Sequence, residues 1–304
     1  MENIVLQTDW GWPIAVYLFL GGLAAGTLCV SAVIHLFTKD RFKKTIRFGA
    51  WAGTVLLIMG VFLLLFDTAA PMRAILLWQS FVNLNSWMAF GAWFLFAGII
   101  IYGLYAIANT EWITDKLGFL KSLRTALAII IIPLSLGIAA YTGILLGVLY
   151  NHPLWNTWFL PALFTVSAID TGVAMVTGYA VLGESKAKEG INRIKRSLEV
   201  SAGILVVLEA VVLVVYLKSM ISAGGVANAS VETLTTGPLS QLFWIVFIGI
   251  GLVLPLLINS SLVVRHDLAE RTRNILPLVG VLACLSGGLI LRFLILLAGL
   301  PIYI

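Results

Sequence analysis

Residues 186–218 read KAKEGINRIKRSLEVSAGILVVLEAVVLVVYLK. Five Lys and Arg crowd into 186–196, and an apolar stretch at about 198–218 follows them. Within that stretch GILVVLEAVVLVVY (203–216) carries a single charge, Glu209. A hydrocarbon core roughly 30 Å thick takes about 20 helical residues to cross. The run is long enough, and it lacks the period-two alternation that a membrane barrel strand needs. A charged connection feeding a membrane-spanning helix is therefore the unit of this chain.

The unit recurs in both directions. Apolar stretches at about 13–37, 46–66, 84–107, 125–149, 158–182, 239–264 and 275–299 bring the predicted spans to eight. Of 19 Lys and Arg, 16 lie in alternate connections, at 39–47, 116–124, 186–196 and 265–273. Arg73 and Lys218 fall on the other side, and Arg292 lies inside a span. The positive-inside bias puts the four basic connections in the cytoplasm and both termini outside. The predicted fold is an all-α integral membrane bundle of eight transmembrane helices. It forms one polytopic domain over 1–304, in the cytoplasmic (inner) membrane, with N- and C-termini extracytoplasmic.

Composition agrees. The chain is 61% hydrophobic and 11% charged, with a mean hydropathy of +1.04, far from a soluble domain. A net charge of +5 would suggest nucleic acid in a soluble protein; beside membrane crossings it sets topology and meets anionic lipid. Cys29 and Cys284 lie singly within spans, which excludes a disulfide framework or a CxxC metal site and makes them small core residues. The N-terminus offers Glu2 and Asp9 but no Lys or Arg before the first apolar run, so that span is expected to be retained.

Small residues recur four apart, at Gly22 and Gly26, Gly49 and Gly53, and Gly143 and Gly147. That spacing sets them on one helix face and permits close helix packing. Pro133, Pro161 and Pro255 are expected to kink their spans. The longest outer connection, about 219–238, is small and polar and reads as a loop. No internal repeat stands out.

An ionisable side chain at bilayer depth costs at least about 2.5–3.5 kcal/mol and needs a partner or a wet cavity. Asp67 ends the second span near the outer interface. Asp170 lies midway along the fifth, in SAIDTG between Ser167 and Thr171. Glu209 is central in the sixth, and Arg292 sits in the outer half of the eighth. These groups serve either as structural hydrogen-bonding and ion-pair networks or as a proton path. Which carboxylate serves Arg292 is open at this level. Tyr17 follows the entrance DWGWP and fits an interfacial aromatic belt. Tyr141, with Thr142 beside it, is too deep for that belt and suits hydrogen bonding to a carbonyl in an apolar pocket. Together Tyr17, Asp67 and Tyr141 reach the outer half, as a lipophilic carbonyl ligand would require.

Histidine usage narrows the redox options. His35 is the sole span histidine, with His152 and His266 in connections. A membrane haem wants two axial ligands at bilayer depth, so no haem is expected. There is no cysteine cluster for an iron–sulfur centre and no phosphate-binding glycine loop. Electron transfer would need a bound organic molecule and a metal centre on another subunit.

The segments WGWPIAVYLFLGGLAAGTL (10–28), FDTAAPMRAILL (66–77), NLNSWMAFGAW (83–93), YTGILLGVLYNHPLWNTWFLPALFTVSAIDTG (141–172) and GGLILRF (287–293) resemble the NrfD-like membrane-anchor family, whose structural type is the membrane subunit of polysulfide reductase. The resemblance implies a quinone-binding subunit with eight spans and no haem. It implies an extracytoplasmic ferredoxin-like iron–sulfur partner and, commonly, a molybdopterin catalytic subunit. Tyr141 matches the family's fourth-span tyrosine at the quinone site, and Asp67 matches the acid of its DxxxP segment. Tyr17 stands where the structural type has histidine and Ile14 where it has asparagine. Ala69 and Ala70 replace the family's usual Gly-Arg.

The expected function is a quinol/quinone redox subunit using menaquinone or ubiquinone. Tyr17 and Tyr141 would hydrogen-bond the quinone, Asp67 would exchange its proton, and the catalytic pair would be Asp67 and Tyr141. Asp170, Glu209 and Arg292 would form a proton path, and an iron–sulfur partner would dock on outer loops including NHPLWN around His152 and Trp155. No metal site is expected in the chain itself. The rivals are a proton-coupled transporter, which should show repeated halves with broken helices, and an inert anchor, for which several buried charges are costly although packing networks can retain them.

Overall fold

The computed structural model describes residues 10–38, 41–67, 86–183, 191–264 and 270–302. Among them every regular element is a helix, with no strand. Helix α1 (Trp12–Thr38) leads to α2 (Lys43–Asp67) and α3 (Trp87–Ala108). A single turn, α4 (Glu111–Thr114), precedes α5 (Phe119–Gly147), followed by α6 (Phe159–Gly183) and α7 (Ile191–Ala223). A short helix, α8 (Gly225–Thr235), comes next. The π-helical run Leu242–Val253 then passes directly into α9 (Leu254–Val264), and α10 (Glu270–Leu297) closes the fold. Eight of these helices are long and apolar enough to cross a membrane, the π-helical run and α9 counting as one. They fall on the eight predicted stretches.

The spans form two groups. Helices α1, α2, α3 and α5 pack as one set of neighbours, and α6, α7, α10 and the π–α9 span as another. Contacts of α1 with α6 and α10, and of α5 with α6, join them. Lipid tails are as apolar as leucine, so helices associate through close backbone approach rather than hydrophobic drive. The glycine pairs supply that approach. A Cβ on Gly26 would overlap the Ala168 carbonyl, and one on Gly172 would overlap the backbone of Gly26. On the other side of α1, Gly49 faces Ser31 and Gly53 faces Leu28, while Gly143 brings α5 onto Pro161. The outward faces of α2, α3 and α7 expose Phe62, Trp93 and Val211, as surfaces suited to lipid do.

Three local expectations change. Pro161 is the third residue of α6, where a proline costs no helix hydrogen bond, so it opens that span instead of kinking it. Pro277, inside α10, joins Pro133, inside α5. The connection 219–238 is mostly helical: α7 runs on to Ala223, and α8 starts at Gly225, with Gly224 between the two helices. Those glycines adopt φ of 69° and 52°, the left-handed region that lets the chain break direction between two helices.

Candidate functional site

Tyr17 of α1 and Tyr141 of α5 lie near one another within the first group of helices. Both are buried, at 1% and 6% exposure, and they are close enough to interact electrostatically. The ring of Tyr17 lies against Gly60 of α2, and that of Tyr141 against Gly91 of α3, where a Cβ would overlap it. Missing side chains on α2 and α3 thus make room for aromatic rings from α1 and α5. Among the described residues neither phenol hydroxyl has a hydrogen-bond partner. Beyond Tyr141, toward the end of α5, a cavity of about 280 Å³ is bordered by Trp87, Ile144, Tyr150, Asn156 and Trp158. Asp67 is the last residue of α2; its side chain lies outside the described residues.

A second cluster fills the middle of the other group. Arg292 is fully buried. Its Nη1 donates to Ser167 Oγ at 2.6 Å and to the Gly288 carbonyl at 2.9 Å. Nη2 donates to the Phe164 carbonyl at 3.3 Å, and the guanidinium lies 4.9 Å from the centre of the Phe164 ring, a cation–π contact. Gly22 of α1 leaves space for the same group, since a Cβ there would stand 3.2 Å from Nη2. Glu209, also buried, interacts with Ser167, Arg292 and Asp170. No described carboxylate pairs directly with Arg292; Ser167 stands between it and Glu209. Asp170 Oδ2 accepts the thiol of Cys284 at 3.1 Å, whereas Oδ1 is buried without a partner.

The connection carrying His152 and Trp155 is turned inward. Trp155 is fully buried and donates from Nε1 to the Ile295 carbonyl at 2.8 Å. His152 stacks on it at 4.1 Å between ring centres and donates from Nδ1 to the Gly299 carbonyl at 2.9 Å. Tyr216 donates to the Leu154 carbonyl at 2.7 Å. This segment ties the end of α10 to the α5–α6 connection, so its His152 and Trp155 side chains are not available for docking. The side chains it exposes include the aromatic Tyr150 and Trp158 and the polar Asn151 and Asn156.

The fold therefore unites the predicted residues in two places, Tyr17 with Tyr141 and Asp170 with Glu209 and Arg292. Sequence reasoning missed Cys284 and Phe164. Their signal was present: Cys284, Gly288 and Arg292 recur at intervals of four on α10, as Phe164, Ala168 and Gly172 do on α6, and such spacing marks one helix face.

The family model described as "Polysulphide reductase, NrfD" matches residues 3–303. The chain belongs to the NrfD family. A polysulfide reductase protein of Wolinella succinogenes is 33% identical over 309 residues, covering 95% of this chain and 94% of that protein. A selenate reductase subunit of Mesobacillus selenatarsenatis is 25% identical over 297 residues, covering 85% of this chain and 68% of that protein. The Hdr-like menaquinol oxidoreductase integral membrane subunit of Archaeoglobus fulgidus is 22% identical over 276 residues, covering 88% and 66% respectively. The NrfD resemblance carried by the segments between 10 and 293 thus extends over nearly the whole chain. With its eight apolar helices, this NrfD-family chain is a multi-pass membrane protein.

Proposed function

We propose that this chain is the quinone-exchanging membrane subunit of a multi-subunit oxidoreductase, passing electrons between menaquinone or ubiquinone and an iron–sulfur protein at the extracytoplasmic face. Three NrfD-related proteins are named as parts of polysulfide, selenate and menaquinol oxidoreductase systems, which supports the oxidoreductase part. The observation that carries the quinone part is the Tyr17–Tyr141 pair: two buried phenols, close together, whose hydroxyls have no partner among the described residues. Each hydroxyl keeps a donor that a ligand can take up, and a quinone presents two carbonyl oxygens on an apolar ring. The donor set fits that group.

A bound quinone would supply two-electron redox chemistry. The chain's own residues would do the rest. Tyr17 and Tyr141 orient the head group by donating hydrogen bonds, and the aromatic and aliphatic walls of α3 and α5 exclude water. Asp67 exchanges the proton at the outer interface, while Asp170, Glu209 and Arg292 form the proton path toward the cytoplasm. The positive-inside bias sets both termini and the docking surface outside. A ferredoxin-like subunit sits there, with a molybdopterin catalytic subunit behind it.

The test is quinol oxidation by the purified intact complex. Tyr141→Phe and Tyr17→Phe should each lower it about tenfold, the order expected for one lost hydrogen bond to the reacting group, and Asp67→Asn should lower it further. Unchanged turnover in Tyr141→Phe and Asp67→Asn would sink the assignment. Ion flux through the chain alone, with no redox partner, would make it a transporter instead.

A further inference from the structure

The unpartnered oxygen of Asp170 points to a second feature of this group of helices. Asp170 is 2% exposed, and a bare carboxylate oxygen at that depth is expensive. Asp170 lines a cavity of about 20 Å³ whose walls include Thr177, Glu199, Asn259 and Cys284. About 10–15 Å³ suffices for one water, provided two to four polar groups hold it. Asp170, Thr177, Asn259 and Glu199 bring polar side chains to its walls. The Thr177 hydroxyl already donates to the Val173 carbonyl at 2.7 Å, which leaves its lone pairs to accept. Pro255 and Pro277 border the same cavity, and each removes a helix hydrogen bond beside it.

Glu199 and Asn259 also border a larger groove of about 420 Å³, with Gly203, Ser260 and Val264. It lies at the end of the bundle that carries the basic connections: Glu199 is in the first turns of α7, after 186–196, and Asn259 is five residues before the end of α9. Glu199 and Asn259 thus stand where the groove meets the cavity. On the far side of Asp170 come Glu209, Ser167 and Arg292, packed against Phe164 and Gly22.

We propose that Glu199 is the cytoplasmic mouth of a water inlet that delivers protons to Asp170. This rests on the reading of Asp170 as a proton-carrying group. A proton from bulk water binds the Glu199 carboxylate. The cavity water accepts that proton and releases another of its own to Asp170 Oδ1. One O–H bond breaks at Glu199 and one forms at Asp170, the water is regenerated, and one positive charge has moved inward. The charged and titratable groups around Asp170 are Cys284 and Arg292 on α10 and Glu209 and Glu199 on α7; α9 brings the neutral Asn259, and α1 approaches α6 through Gly22 and Gly26.

The full-length protein in lipid nanodiscs allows a direct test. Infrared spectra taken across pH should contain a protonated carboxyl band that Asp170→Asn removes, and transfer to heavy water should shift it as the proton exchanges. Glu199→Leu and Asn259→Leu should slow that exchange by about tenfold or more, with Glu199→Asp restoring it and thermal unfolding confirming that each variant is folded. Wild-type exchange in both leucine variants would overturn the inlet. So would a band absent at every pH, or one abolished by sodium at constant pH, which would assign the cavity to a cation. Quinol oxidation by the complex with Asp170→Asn is read separately: unchanged turnover would remove Asp170 from the proton path and leave the exchange result standing.

Discussion

The phenol ring of Tyr141 occupies the space over Gly91 that the Cβ of any other residue would take. Helices α3 and α5 are held at a separation that fits one aromatic ring and no additional carbon. Gly91→Ala should therefore push Tyr141 aside, at an overpacking cost of about 1–3 kcal/mol. Thermal unfolding should report the cost, and quinol oxidation by the complex should fall as the phenol leaves its place.

Hydroxyl deletions separate binding groups from structural ones. Tyr17→Phe and Tyr141→Phe remove hydroxyls that have no partner among the described residues, so unfolding should barely change. Tyr216→Phe removes the bond to the Leu154 carbonyl and should cost about 1 kcal/mol. Denaturation of the three purified variants checks the contrast. An equal loss in all three would mean that the two phenols are structural.

Arg292 and Glu209 are tied through Ser167. Removing one partner leaves the other buried and uncompensated, so Arg292→Met should destabilise by about 3–5 kcal/mol. Adding Glu209→Leu to that variant should recover part of the loss. A double-mutant cycle measures the coupling, and strict additivity would show that the two charges do not act together.

The α1–α6 crossing depends on absent side chains. Gly26→Val would drive methyl groups into the Ala168 carbonyl, and the variant should fail to accumulate as a monodisperse protein. Gly103, on α3, has nothing within 4 Å of the corresponding position. Gly103→Ala should be tolerated and gain about 0.5–1 kcal/mol from reduced backbone entropy. Gel filtration and thermal unfolding of the pair decide the matter.

Much of this architecture was legible in the amino-acid order, because bilayer thickness and charge placement are one-dimensional signals. The eight spans and the glycine pairs at 22/26 and 49/53 follow from run length and spacing. The break at Gly224–Gly225 and the helix after it were not legible, since short polar segments such as VANASVETLT are compatible with loop or helix until packing decides. The inward turn of His152 and Trp155 was hidden as well: their partners, the carbonyls of Gly299 and Ile295, lie about half the sequence away.

The amino-acid order by itself determined that this protein crosses a membrane eight times, that it belongs with the NrfD proteins, and which few polar residues lie at depth. Only the tertiary structure decided how those residues group. A helix face has no partner until another helix meets it. It took the close approach of α1 to α6 to seat Arg292 beside Ser167 under Gly22, and the gap over Gly91 to bring Tyr141 to Tyr17. The unpaired oxygen of Asp170 became visible only once α7, α9 and α10 had enclosed it.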